Sequence, residues 1–210
     1  MTRKTVWLAI ALTAAVALLL TACGGGPKDV SWGDDFSDPE SGWLAESDSS
    51  AEVGYQDGVM RVFVKAPNRL AWASAGRELA DFHLAVEATQ VSGPDDNEYG
   101  VLARMSDPDH FYCFSISGDG YYQVSKYEAG TRPPLAGDWT PSDAINTGAA
   151  TNILEVNCNG AMLTFVVNGV QVAQVEDDTY SKGDIGLYAG AFFDPDVEVY
   201  FDNLSITPAD

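Results

Sequence analysis

The chain has 210 residues, 46% hydrophobic and 11% aromatic, with 11 Lys plus Arg against 31 Asp plus Glu and a net charge of −20. Nucleic acids and anionic headgroups are held by basic surfaces that displace their counterions, so this balance excludes both as partners of the folded part. The acid excess has two readings: solubility of an exported protein, or oxygen ligands for calcium, for which Gly93 to Asn97 and Asp107 to Asp109 offer several.

In chain order, Arg3 and Lys4 precede an apolar run over residues 6–20, and Leu20-Thr21-Ala22-Cys23 then leads into Gly24-Gly25-Gly26-Pro27. The run is short for a bilayer span, which takes about 20 apolar residues, and its small-residue exit matches a processed signal. This stretch resembles a bacterial lipoprotein signal with its lipobox. The resemblance implies cleavage before Cys23, lipidation of that thiol, and residence in the cell envelope on an extracytoplasmic face, attached to the membrane through the N-terminal lipid. The alternative, an uncleaved anchor helix, also leaves the remainder outside the cytoplasm. Residues 1–22 are then the signal peptide, 23–29 the lipidated Cys with a Gly-rich tether, and 30–210 one folded domain. Removing the first 22 of 210 residues leaves 188, and because the signal carries two basic and no acidic residues the net charge falls to −22.

From residue 30 an aromatic-rich opening is punctuated by Asp38-Pro39 and Ser41-Gly42, and short β-type runs follow with turn dipeptides between them. Runs at 59–65, 70–75 and 82–91 follow or precede Asp57-Gly58, Pro67-Asn68 and Gly93-Pro94. In the third, Phe82, Leu84, Val86 and Ala88 alternate with His83, Ala85, Glu87 and Thr89, a period of two that predicts a half-buried strand. Further runs occupy 99–105, 110–117 and 121–127. Residues 132–150, with Pro133-Pro134, Gly137 and Trp139, lack alternation and predict a surface loop of a length that is often functional. Runs at 152–158, 161–167 and 170–175 are separated by Asn159-Gly160 and Asn168-Gly169, which predict tight type I′ hairpins and a three-strand meander. Runs at 183–192 and 197–206 close the domain. About twelve strands without a helix predict an all-β fold, an antiparallel two-sheet sandwich.

With Cys23 lipidated, Cys113 and Cys158 form an even pair in an oxidising compartment, where a disulfide is the default expectation. Closing their 45-residue separation would contribute about 4 kcal/mol on the chain-entropy model. The alternative is two buried free thiols. The alternation contains a conflict: Cys158 shares parity with Leu154 and Val156, whereas Cys113 lies opposite in parity to Tyr112, Phe114 and Ile116. A bridge therefore needs Phe111 inward, a bulge, or a strand covered on both faces.

Several segments together resemble the concanavalin A-like jelly roll, the group that includes laminin G-like and 3-keto-disaccharide hydrolase-type domains. They are Asp34-Asp35-Phe36, Tyr99 to Arg104, Phe111 to Ile116, Asn152 to Val156, Phe165 to Gly169, Gly183 to Leu187, and Phe201 to Leu204. The resemblance implies a jelly-roll sandwich over nearly all of the mature chain. It also implies a structural calcium between the first and last strands, near Asp35 and Asp202, while no cofactor is required for function. The same sandwich hosts lectins, adhesion modules and hydrolases, so it does not choose among them.

The sequence has no Glu-x-Asp-x-x-Glu strand, no Gly-x-Ser-x-Gly elbow and no zinc-spaced His cluster. Glu198 and Asp202 share a strand face but lie about 13 Å apart at ~3.3 Å per residue, too far for a glycosidase pair. Binding asks less: aromatic faces and a few polar groups. Arg104, Tyr121, Tyr122, Lys126, Trp139 and Tyr188 are the candidates, in or near the strands that form the open sheet in related domains. The expectation is a lipid-anchored, non-catalytic module for a glycan or a surface protein. A glycoside or 3-keto-disaccharide hydrolase and a structural envelope protein are the alternatives.

Overall fold

The computed structural model describes residues 30–209, among which there are fifteen strands and no helix. The strands are β1 (Trp32–Asp34), β2 (Leu44–Ala45), β3 (Ala51–Gln56), β4 (Val59–Val64), β5 (Arg69–Ser74), β6 (Phe82–Ser92), β7 (Asn97–Asp107) and β8 (His110–Ile116), followed by β9 (Tyr121–Glu128), β10 (Thr140–Pro141), β11 (Thr151–Asn159), β12 (Met162–Val167), β13 (Val170–Glu176), β14 (Asp184–Ala191) and β15 (Val197–Thr207). The expected signal and lipidated Cys23 lie outside the described residues.

Two antiparallel sheets form a sandwich. One has eight strands in the order β13-β12-β11-β6-β15-β4-β3 with β1 added on β15, and the other seven in the order β10-β9-β8-β7-β14-β5-β2. Period-two alternation explains the first sheet: in β6 Phe82, Leu84, Val86 and Ala88 are buried between residues of intermediate exposure. The second sheet contributes Tyr99, Val101 and Ala103 of β7, Tyr112, Phe114 and Ile116 of β8, and Ile185, Leu187 and Ala189 of β14 to the same core. Phe114 and Phe165 meet edge to face across the layers with centroids 5.7 Å apart. Burying one such side chain stabilises by roughly 1.5–3 kcal/mol, and the core contains many.

Backbone irregularities decide which residues point inward. In β15 a register shift between Asp202 and Ser205, with Asn203 at φ 52°, moves the buried positions from Val199 and Phe201 to Leu204 and Ile206. Asn168-Gly169 is a type I′ turn with both residues at positive φ, as its sequence predicts. The other Asn-Gly is not. Asn159 pairs with Met162, so the two loop residues are Gly160 and Ala161, and only Gly160 has positive φ. Gly160 is held there because its N–H donates to Asp81 Oδ1 and its carbonyl accepts from Arg104.

The expected Cys113–Cys158 disulfide is absent. Both cysteines are free and buried. Cys158 faces the core between the sheets, whereas Cys113 packs with Leu102, Phe111 and Tyr188 on the opposite face of the seven-stranded sheet. Strand β8 is covered on both sides, so the parity conflict resolves with the two sulfurs on different sides of one layer. Burial pushes the Cys113 thiol up to about 11 and the Cys158 thiol up to about 12, which suppresses the thiolate in both. Alkylating reagent should modify Cys113 and Cys158 only after unfolding, without any reductant, as peptide mass mapping would show; a linked pair of peptides would contradict the structure.

Candidate functional site

The seven-stranded sheet has a second, outward face. Cross-strand register aligns Trp72, Tyr188, Gly100, Ser115 and Gln123 in one row across five strands, with Ser74, Gly186, Leu102, Cys113 and Ser125 beside it. Phe111 and Tyr127 follow as a directly opposed pair, stacked with centroids 4.9 Å apart and planes 5° from parallel. Trp72 tilts against Phe111 at 6.2 Å. Glycines keep this surface low: a Cβ on Gly190 would lie 2.5 Å from Leu70 Cδ2 and 2.7 Å from Glu98 Cγ, so the bare backbone is what gives those two side chains room.

Across the middle of this face reaches Arg132, from the segment after β9. Its Nη1 donates to Glu98 Oε1 and Oε2 at 2.9 and 2.6 Å, its Nε to Ser125 Oγ at 2.8 Å, and its Nη2 to Ser115 Oγ at 2.9 Å and Tyr188 Oη at 3.5 Å. Tyr188 also donates to Glu98 Oε2 at 3.2 Å and shares a hydrogen bond with Ser115 Oγ. Burial pushes the Tyr188 hydroxyl well above its ordinary value and the Glu98 carboxylate adds to this, so it stays a neutral donor. All three guanidinium nitrogens and both carboxylate oxygens thus have protein partners.

Above this floor lies a hollow of about 510 Å³ lined by Asn68, Arg69, Leu70, Trp72, Glu98, Pro108, Phe111, Tyr127, Arg132, Ala191 and Phe192. A second, of about 310 Å³, shares Arg69, Leu70, Trp72 and Pro108 and extends to Leu44, Glu46, Asp48 and Ser74. A third, of about 200 Å³, shares Phe192 and adds Asp96, Ser117, Asp119, Tyr121 and Trp139, the Trp139 ring standing edge-on to Phe192 at 5.9 Å. Joined by these shared residues, the hollows run from β2 to the start of β10 with aromatic side chains at intervals. The two outer hollows are mainly apolar and the central one is evenly polar and apolar, a mixture of apolar surface and fixed polar groups that suits a ligand site.

Of the six expected binding residues, Tyr121, Trp139 and Tyr188 belong to this face, Tyr188 as fully buried floor. The other three are corrected. Tyr122 packs against the core between the sheets. Arg104 is completely buried at φ 51° and bonds the carbonyls of Ala80, Gly160 and Tyr180 and the Asp81 carboxylate, which makes it a clamp between loops. Lys126 points to the far side, its Nζ 3.1 Å from Asp177 Oδ2 and 2.7 Å from Thr179 Oγ1. The residues missed in the sequence are Trp72, Phe111, Tyr127, Glu98, Arg132 and Phe192. The available signal was Glu98, a carboxylate inside an otherwise apolar run, together with Arg132 in the irregular loop.

Asp35 and Asp202, the residues expected near a calcium, each act as a turn cap through Oδ1. Asp35 accepts from the Ser37 amide and hydroxyl and Asp202 from the Asn203 amide. Among the described residues no three His, Cys, Asp or Glu side chains gather in a metal-ready group. The organising acid of that region is Asp34, which accepts from the Phe36 amide, Ser41 Oγ and Trp43 Nε1.

No family model matches the sequence and no curated protein matches it. Solved structures do. The carbohydrate binding module CBM66 from Bacillus subtilis superposes with a TM-score of 0.64 at 16% identity, covering 80% of this chain and 96% of that one. A protein of unknown function with a galectin-like fold from Bacillus subtilis gives 0.63 at 11% identity, covering 85% and 95%. The catalytic domain of a laminarinase from Thermotoga petrophila gives 0.60 at 10% identity, covering 87% and 99%. The fold is therefore the concanavalin A-like jelly roll.

Two stability measurements test the packing around this sheet. Arg132→Met strands Glu98 in a buried site and should cost about 3–5 kcal/mol in urea unfolding, and adding Glu98→Leu should recover much of that. On the far side, burial would raise the Asp177 carboxyl, but hydrogen bonds from Tyr112, Thr179 and Lys126 outweigh it and hold the group at about 2. A carboxyl depressed on folding stabilises above its unfolded value near 4, and that contribution disappears as pH falls through about 2. Asp177→Asn should therefore lower stability at pH 7 and change it little at pH 2.

Proposed function

We propose that this protein is a lipid-anchored, extracytoplasmic glycan-binding module, and that the outer face of the seven-stranded sheet is its ligand surface. The observation that carries this reading is the run of three connected hollows with Trp72, the Phe111–Tyr127 stack, Phe192, Tyr121 and Trp139 along it. Flat rings over a rigid floor suit the apolar faces of sugars, and the floor is ordered before any ligand arrives, which lowers the entropy cost of binding. The likeness to a carbohydrate binding module supports the same reading. The Leu20 to Cys23 lipobox and the Gly-rich tether support attachment to the envelope membrane, so the ligand is one that occurs close to that surface.

The acids on the face support binding without hydrolysis. Glycosidase chemistry needs two carboxyl groups flanking one bond. In the central strands β7, β8, β9, β14 and β5 the outward carboxylates include Glu98, whose two oxygens are engaged by Arg132 and Tyr188, and Asp184, which accepts from the Gly76 and Arg77 amides. Asp184 lies six residues along β14 from Gly190, the partner of Glu98, or about 20 Å at ~3.3 Å per residue.

A paired experiment tests both halves. In cells of an envelope-bearing host, Cys23→Ser should move the protein from the membrane to the soluble fraction. Trp72→Ala should leave that distribution unchanged and weaken retention on a polysaccharide array by about tenfold or more, a loss of ~1.4 kcal/mol. Release of reducing sugar from any retained polysaccharide would replace binding with hydrolysis.

A further inference from the structure

We propose that the ligand is an uncharged glycan chain, several sugar rings long, laid across the strands; this rests on the glycan-binding reading above. The electrostatic half comes from the cations of the track. Among the described residues, Arg69 and Arg132 are the only Lys or Arg side chains lining the three hollows; Arg132 is held by Glu98, and Arg69 makes a half-exposed contact through Nη2 with Asp48 Oδ2 at 3.3 Å. Arg132 has no guanidinium nitrogen without a protein acceptor, so it offers a ligand its flat face and no bidentate fork for a carboxylate or phosphate. The rim adds Glu46, Asp96 and Asp119 to these, and the whole chain carries a net charge of −20. A uronate, sulfated or phosphate-bearing polymer would meet the five lining carboxylates Glu46, Asp48, Asp96, Glu98 and Asp119 against two arginines, within the ~8–10 Å over which physiological salt leaves charges unscreened. Neutral rings meet no such penalty.

The length half comes from the track itself. It crosses from β2, through β5, β14, β7, β8 and β9, to the edge at β10, which at ~4.8 Å per strand spacing is roughly 29 Å. Aromatic contacts are distributed along it, with Trp72 towards one end and Trp139 and Tyr121 at the other. A mono- or disaccharide cannot span all three hollows, whereas a longer chain can and gains each contact without a second loss of translational freedom.

The test uses the full-length protein and two sets of immobilised polymers: neutral β-glucan, xylan, mannan and fructan, and anionic alginate, pectate and hyaluronan. Retention is expected from the neutral set alone, with the dissociation constant unchanged between 0.05 and 1 M NaCl within about twofold. Carboxymethylation of the retained polymer should weaken it by about tenfold. Its oligosaccharides should bind more tightly with each added sugar up to five or six, and Trp139→Ala should remove the gain of the longer ones while leaving the shortest unaffected. Trp72-dependent retention of an anionic polymer, or a disaccharide binding as tightly as the hexasaccharide, would overturn this inference and leave the glycan reading standing. Retention of no polymer in either set would overturn both.

Discussion

The outer face of the seven-stranded sheet depends on the Arg132–Glu98 contact. Taking two charges out of water costs several kcal/mol per ion, and mutual attraction repays it only when the remaining hydrogen-bonding capacity is also filled. Here it is filled: Ser115, Ser125 and Tyr188 take the donors that Glu98 does not, and Tyr188 gives its own proton to the pair. The contact ties the segment after β9 to β7 and β14, three places far apart in sequence. It also closes a polar floor beneath an aromatic surface, so the sheet is protected on its second side by its own side chains.

Most of the architecture was legible in the sequence because most strands are covered on one side only. In β6, β11 and β12 alternation names the buried face directly, and Asn168-Gly169 is a turn that only its own φ angles can make. Legibility ends where both faces are covered. In β8 every residue from Phe111 to Ile116 is buried, and alternation no longer says which apolar side chain faces the core. That ambiguity hid the outward position of Phe111 and left the parity conflict between Cys113 and Cys158 open, so the disulfide expectation rested on the even cysteine count alone. The register shifts in β7 and β15 are a second limit: Arg104 at positive φ gives no local signal of a bulge, and Asn203, a residue type that tolerates positive φ, gives only a weak one.

The same argument explains why function is harder to read than fold. Identities of 10–16% with a binding module, a galectin-like protein and a laminarinase domain show a shared sandwich and do not choose among their functions. What distinguishes chemistry from binding on such a sheet is the number and pairing of outward carboxylates, which are long-range facts. Glu98 and Arg132 are 34 residues apart, and nothing local in either segment implies the other.

Because the floor satisfies its own polar groups, it can supply shape and apolar contact but few new hydrogen bonds. On the proposed glycan-binding reading, discrimination between one neutral sugar and another falls to the rim, where hydroxyls can meet donors and acceptors that still face water. The rim is built from loops: Glu46 and Asp48 after β2, Asn68 between β4 and β5, Asp96 between β6 and β7, Trp139 before β10, and Phe192 after β14. Two of these are fastened to each other by the Asn68 amide donating to the Phe192 carbonyl at 2.8 Å. Phe193, next in the chain and 79% exposed, is an apolar ring left in water at this edge. A self-contained floor with loops around it separates the two tasks that reading requires: the framework holds the fold, and the loops are where specific contacts to a ligand can be made.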